Sequence, residues 1–200
     1  ELGASVIVPH WSRYVVDLNR PQDGHPLYPG RKETGLVPLN TFAEEPIYLD
    51  GRSPAAEEMA ERVSEYWRPY HQALREELQR LRTQHGHAVL WDGHSIVPIF
   101  FQGRLPDFNL GTANGASCSP ALQTRLTNVL RERAGGDGKN GFDHVVNGRF
   151  KGGYITRTYG KPAEGCDAVQ LELAQCTYMD EDSFDYQLGR AAAVQEVIRA

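Results

Sequence analysis

Two hundred residues, 40% of them hydrophobic and 24% charged, supply one domain with a sizeable core and are too few for two ordinary ones. A net charge of −5 argues against a sequence-independent grip on nucleic acid, which needs clustered Lys and Arg. No apolar run approaches the roughly 20 residues that span a bilayer, and the three cysteines, Cys118, Cys166 and Cys176, lack CxxC spacing, which points to a reducing cytoplasm.

Ser5 to Pro9 (SVIVP) reads as a short buried strand by its β-branched density, and Tyr14 to Leu18 as a second that stops at Arg20-Pro21. From Pro21 to Gly51 the chain is rich in Pro and Gly without a sustained period, a long loop region of the kind that usually serves function. Ser53-Pro54 then predicts an N-cap with proline at the first helical position. Behind it Met59, Val63, Tyr66, Trp67, Tyr70, Leu74, Leu78 and Leu81 recur at helical steps, an amphipathic helix kinked by Pro69 and ended at Gly86. Glu57, Glu58, Glu61 and Arg62 are its solvated face and carry no chemistry.

His87 to Trp91 reads as a buried strand, with Asp92-Gly93-His94-Ser95 at its carboxyl end. A loop rich in Gly, Pro and Asn leads to Ser119-Pro120, a second N-cap. The helix behind it runs to Ala134 with Leu122, Leu126, Val129 and Leu130 inward, and Gly135 to Gly138 form a turn. A glycine-punctuated stretch, Gly152 to Gly160, precedes a strand at Ala168 to Leu173, and Phe184 to Arg199 closes the chain as a helix. Strands alternating with helices predict an α/β protein, a single-domain mixed sheet flanked by helices over residues 1–200.

Three segments interrupt buried strands with polar residues or sit at their ends, where α/β sheets collect ligands. His94, at a strand end, can present an imidazole nitrogen to a metal with Asp92 behind it, or can be an ordinary hydrogen-bonding residue. Glu172, in Gln170-Leu171-Glu172-Leu173, is either a general base or a carboxylate that alternation places with Gln170 on a solvated face or pairs with an Arg. Arg20, after Asn19, suits bidentate capture of a carboxylate, with a salt bridge to Asp17 or Asp23 as the structural rival.

The runs SRYVVDLNRPQDG, LYPG, TGLVPL, YWRPYHQAL, LWDGHS, LPDFNLGT, NGRFKGGYITRTYGKP and AVQLE, in this order along nearly the whole chain, resemble the N-formylglutamate amidohydrolase family. That resemblance implies a fold similar to zinc-dependent carboxypeptidases and aspartoacylase, and hydrolysis of N-formyl-L-glutamate, a small-molecule substrate, to formate and glutamate in histidine degradation. It implies a divalent metal, zinc by first expectation, bound in part by His94, with Glu172 as the base. It also implies a carboxylate clamp at Asn19 and Arg20, with Arg157 as a second cation and Tyr154 as a hydrogen-bond donor. Sites of this kind also take a His and a carboxylate from an early PHSG-type segment. Pro9-His10-Trp11-Ser12 comes too late in the family's order to be that segment, so the remaining ligands are expected upstream of Glu1, and the 200 residues alone are expected to hold metal poorly and to have little or no deformylase activity. Two other readings stay open. One is an amidohydrolase for another N-acyl amino acid, distinguished by activity on N-acetyl substrates. The other is a non-catalytic scaffold on the same fold, distinguished by what the gene encodes before Glu1.

Overall fold

The helical spacing behind Pro54 produces the longest regular stretch of the chain. In the computed structural model, which describes residues 3–27, 30, 33–41, 43–100, 103–133 and 141–200, it is α1 (Ala56–Arg62), a π-helical turn (Val63–Trp67) and α2 (Arg68–His85). Pro69 has no N–H, and in a regular α-helix its ring crowds the carbonyl of Glu65. The widened turn just before it takes up that conflict where a kink is expected. Gly86 ends α2 in the left-handed region, φ 74°, with its N–H on the Arg82 carbonyl. The expected cap at Ser53-Pro54 is not formed: Ala55 is the N-cap, without a side-chain cap bond.

The chain divides into two compact units, Glu1–His87 and Ala88–Ala200. Two strands expected in the first unit are absent from it. Ser5 to Pro9 is coil with Val6 and Val8 largely exposed, because β-branched residues favour a strand only where a ladder is there to join. Tyr14 to Leu18 is a run of turns, Val15 N–H bonding the Ser12 carbonyl and Asp17 N–H the Leu36 carbonyl. Local partners satisfy that backbone in place of a neighbouring strand. The described residues between Pro21 and Gly51 are loop as expected, with an isolated bridge between Asn40 and Pro46.

The second unit carries the sheet. Its elements are β1 (Ala88–Ile96), β2 (Ile99–Phe100), β3 (Gly103–Arg104), β4 (Phe108–Gly111), α3 (Pro120–Arg133), β5 (His144–Val146), α4 (Tyr154–Tyr159), β6 (Cys166–Ala174) and α5 (Leu188–Arg199). The main sheet has four strands in the order β1-β6-β4-β5. It is mixed, with β1 parallel to β6, β4 antiparallel to β6, and β5 parallel to β4. The β4 strand and the short β2–β3 pair stand where the sequence reads as loop. Ala134 and the turn at Gly135 to Gly138 lie outside the described residues. The last helix starts at Leu188 and not at Phe184, whose φ of 61° is not helical.

Alternation gives the sheet two unlike faces. Val169, Leu171 and Leu173 of β6, with Phe108 and Leu110 of β4, pack with Leu130 of α3 and Val194 and Val197 of α5 into the hydrophobic core. Asp107 and Asp143 exchange backbone N–H to carboxylate bonds of 2.6 and 3.1 Å at the start of β4 and before β5, which aligns the two strands.

Candidate active site

The opposite face of the sheet is polar. In the parallel register Asp92 stands beside Gln170 and His94 beside Glu172, and paired residues project to the same side. On the other flank Asn109 of β4 faces Glu172 and Gly111 faces Gln170. The segment leading to α4 crosses this face. At Gly111 the backbone of Lys151 and Gly152 lies so close that no side chain fits, and at Gly160 the same holds against Ser117.

Within this face each strand makes the same grip. The Asp92 carboxylate takes a hydrogen bond from His94 Nε2 at 2.8 Å, and its other oxygen accepts from Thr156 Oγ1 at 3.3 Å. A carboxylate can only accept, so His94 Nε2 carries a proton in this contact. Gln170 accepts the Gly153 N–H at 2.5 Å and donates from Nε2 to Glu172 Oε1 at 2.8 Å. Asp92, Gln170 and Thr156 are buried, while His94 and Glu172 keep partial exposure. The two residues with chemical potential are therefore reachable, and the two that hold them are not. Asn109, 1% exposed, donates to the Pro106 and Glu172 carbonyls, and its Oδ1 has no partner among the described residues.

His94 and Glu172, singled out separately from sequence, are neighbours across adjacent strands. The solvated-face reading of Gln170 and Glu172 fails, since α4 and its lead-in cover that face. Asp92 and His94 lie inside a nine-residue strand and not beyond its end. Tyr154 and Arg157 lie on α4, a six-residue helix where a loop is expected. Arg157 is exposed and donates from Nε to the Gly152 carbonyl at 2.9 Å. Thr156 and Asn109 escape a sequence reading, and so does the hold that Gln170 has on Glu172. Alternation in AVQLE does place Gln170 beside Glu172, but nothing in the sequence indicates what covers them.

Asn19 and Arg20 belong to the first unit. Arg20 donates from Nε to the Thr34 carbonyl at 2.7 Å and from Nη1 to the Asn19 carbonyl at 3.1 Å, and lies 4.0 Å from both Asp17 and Glu33 carboxylates. The closer partner of Asp17 is Arg13, at 2.6 Å. Asp23, the other suggested partner of Arg20, faces His25 at 3.1 Å. The segment is tied to the helices by Trp67 Nε1 on the Arg20 carbonyl and by His71 Nε2 with the Leu18 carbonyl. Asn19 is buried, its N–H on Asp17 Oδ1. His10 is exposed in coil.

Among the described residues no three of His, Cys, Asp and Glu are grouped to hold a metal ion. A catalytic zinc takes three protein ligands. The donors on this face, one imidazole already held by Asp92 and one carboxylate held by Gln170, do not by themselves fit that ion.

A mixed α/β sheet that buries aliphatic side chains on one face and sets a held histidine beside a held glutamate on the other is a frame able to carry general acid–base chemistry. The chain belongs to the N-formylglutamate amidohydrolase family, whose model matches residues 1–179. It is 54% identical to the N-formylglutamate deformylase of Pseudomonas aeruginosa and 52% identical to that of Pseudomonas putida, over all of this chain and 74% and 73% of theirs. The crystal structure of N-formylglutamate amidohydrolase from Ralstonia eutropha superposes with a TM-score of 0.74 at 27% identity, over 92% of this chain and 69% of that one. A gene product of Agrobacterium tumefaciens shares the fold at 16% identity, with a TM-score of 0.64 over 94% of this chain and 66% of its own.

Proposed function

We propose that this chain hydrolyses N-formyl-L-glutamate to formate and L-glutamate, with Glu172 as the general base. The observation that carries the reading is the juxtaposition of His94 and Glu172 on adjacent parallel strands, each fixed by a buried neighbour. In this mechanism Glu172 takes a proton from water as the water oxygen bonds to the formyl carbon. When the carbon–nitrogen bond breaks, Glu172 returns that proton to the departing amine. Donors at the developing oxyanion lower the barrier, and Tyr154 at the start of α4 is the proposed one. Arg157, and Asn19 with Arg20 in the first unit, are the proposed carboxylate binders for a substrate that carries two.

Metal dependence, with zinc as the ion, and kinship with zinc carboxypeptidases and aspartoacylase belong to the same proposal. His94 is the one ligand this reading assigns within the chain, with Asp92 fixing its ring. The cytoplasm is the proposed setting, supported by three free thiols at Cys118, Cys166 and Cys176. Among the described residues no helix is long and apolar enough to cross a membrane.

Glu172→Gln tests the core of the reading. The amide keeps the shape and an acceptor for Gln170 but cannot take the proton, so formate release should fall roughly a hundredfold or more. Near-normal turnover would overturn the assignment.

A further inference from the structure

We propose that Gln170 is a positioning residue that fixes the Glu172 carboxylate by tying it to the first turn of α4. The inference rests on the reading of Glu172 as the base. Gln170 is 4% exposed, and both ends of its amide are used. Its polarity is settled by the main chain: the Gly153 N–H can only donate, so Oε1 must face it and Nε2 must face Glu172. What reaches the carboxylate is therefore a donor held at 2.8 Å by a group that cannot turn over.

The parallel strand repeats the device. Asp92, the register partner of Gln170, grips His94 two residues on and is itself held by Thr156. Both gripping residues thus depend on α4, one through its N-cap Gly153 and one through Thr156. No other amide or acid performs the Gln170 role. Asparagine is a methylene too short for the span, and glutamate can accept from Gly153 but has no N–H for Glu172.

The test measures kcat and KM for N-formyl-L-glutamate at one pH in the wild type, E172Q, Q170M, Q170E and the E172Q/Q170M double variant. Loss of positioning should appear in kcat, a fall of roughly tenfold to a hundredfold for Q170M, with KM changed by no more than about twofold. Q170E should lose as much, although it keeps the acceptor for Gly153 and so the anchor of α4. If Q170M folds poorly, Q170E decides alone. In the E172Q background Q170M should cause no further fall, because Gln170 acts only through the residue already disabled. A fall that multiplies with E172Q, one carried by KM, or a Q170E variant of normal kcat would overturn the inference and leave Glu172 as base. Normal turnover in E172Q itself would remove the parent reading, and this inference with it.

Discussion

Replacing Asp167 by alanine should destabilise the sheet-bearing unit by about 3 kcal/mol, although Asp167 is not among the residues assigned chemistry above. Asp167 is a 2%-exposed residue of β6, and its two oxygens take the Ser119 N–H at 2.6 Å and the Ser119 hydroxyl at 3.0 Å. Ser119 immediately precedes α3, and its hydroxyl accepts from Leu122 N–H at 3.4 Å. The carboxylate therefore caps a 14-residue helix through an intermediate serine and fastens it to the central strand. Hydrogen bonds to a charged acceptor contribute about 1.5–3 kcal/mol each, and a negative charge at a helix N-terminus adds about 0.5 kcal/mol. The two bonds share one partner and do not sum fully, hence the total of about 3 kcal/mol. For a chain of this length that lowers the midpoint of thermal unfolding by about 6–12 °C. Asp167→Asn keeps an acceptor for the Ser119 N–H and offers the hydroxyl a donor, so it should cost only about 1 kcal/mol. Urea unfolding followed by far-UV circular dichroism measures both variants. A loss under about 0.5 kcal/mol for alanine, or equal losses for the two, would refute the capping argument.

Arg20→Lys keeps the charge but loses the planar fork, so kcat/KM for the diacid substrate should fall clearly. If a neutral amide analogue is affected as strongly, Arg20 serves only its contacts with Thr34 and Asn19. Burial first, and then the negative charge of Asp167, push the Cys118 thiol up to about 11, so at pH 8 iodoacetamide should leave Cys118 unmodified until the protein unfolds. Mass spectrometry showing rapid modification in native buffer would contradict that burial. The 200-residue chain, dialysed against zinc and then buffer, should retain well under one ion, since its described residues hold no three-donor group. One tightly held zinc per chain would mean that a ligand set has been missed.

An element is legible in the sequence where several signals for it are redundant. At β6 the apolar residues alternate, and Val169, Leu171 and Leu173 must share a face whatever lies opposite. At α2 the period, the terminal Gly86 and the buried Leu74 and Leu78 agree. Ser5 to Pro9 misleads because β-branched density reports a preference and not a partner, and among the described residues no strand pairs with this segment. In the site, His94 and Glu172 are legible as unusual residues in strands. Their adjacency is not, since it depends on the β1–β6 register, 78 positions apart in the chain, as His94↔Glu172. Arg20 is legible as a cation before a loop, yet its bonds to Thr34 cross a segment without periodicity from which no pairing can be inferred.

The run Gly152-Gly153-Tyr154-Ile155-Thr156-Arg157-Thr158-Tyr159-Gly160 is the most unusual in the sequence, and the structure gives a physical reason for its key positions. Gly152 sits at φ 108°, where a Cβ would also press on Thr156. Gly153 is the N-cap, so its N–H is not consumed within the helix and can hold Gln170. Ile155 is buried and seats the helix, one position before Thr156 must meet Asp92. Gly160 lies against Ser117, whose hydroxyl bonds the Ala168 carbonyl of β6, so any side chain there would drive α4 off the sheet. A six-residue helix has almost no stability of its own. Its place is over-determined by these contacts, and through Asp92 and Gln170 it in turn determines where His94 and Glu172 point. Gly160→Ala should therefore damage activity through both residues at once, although its own Cα belongs to neither strand.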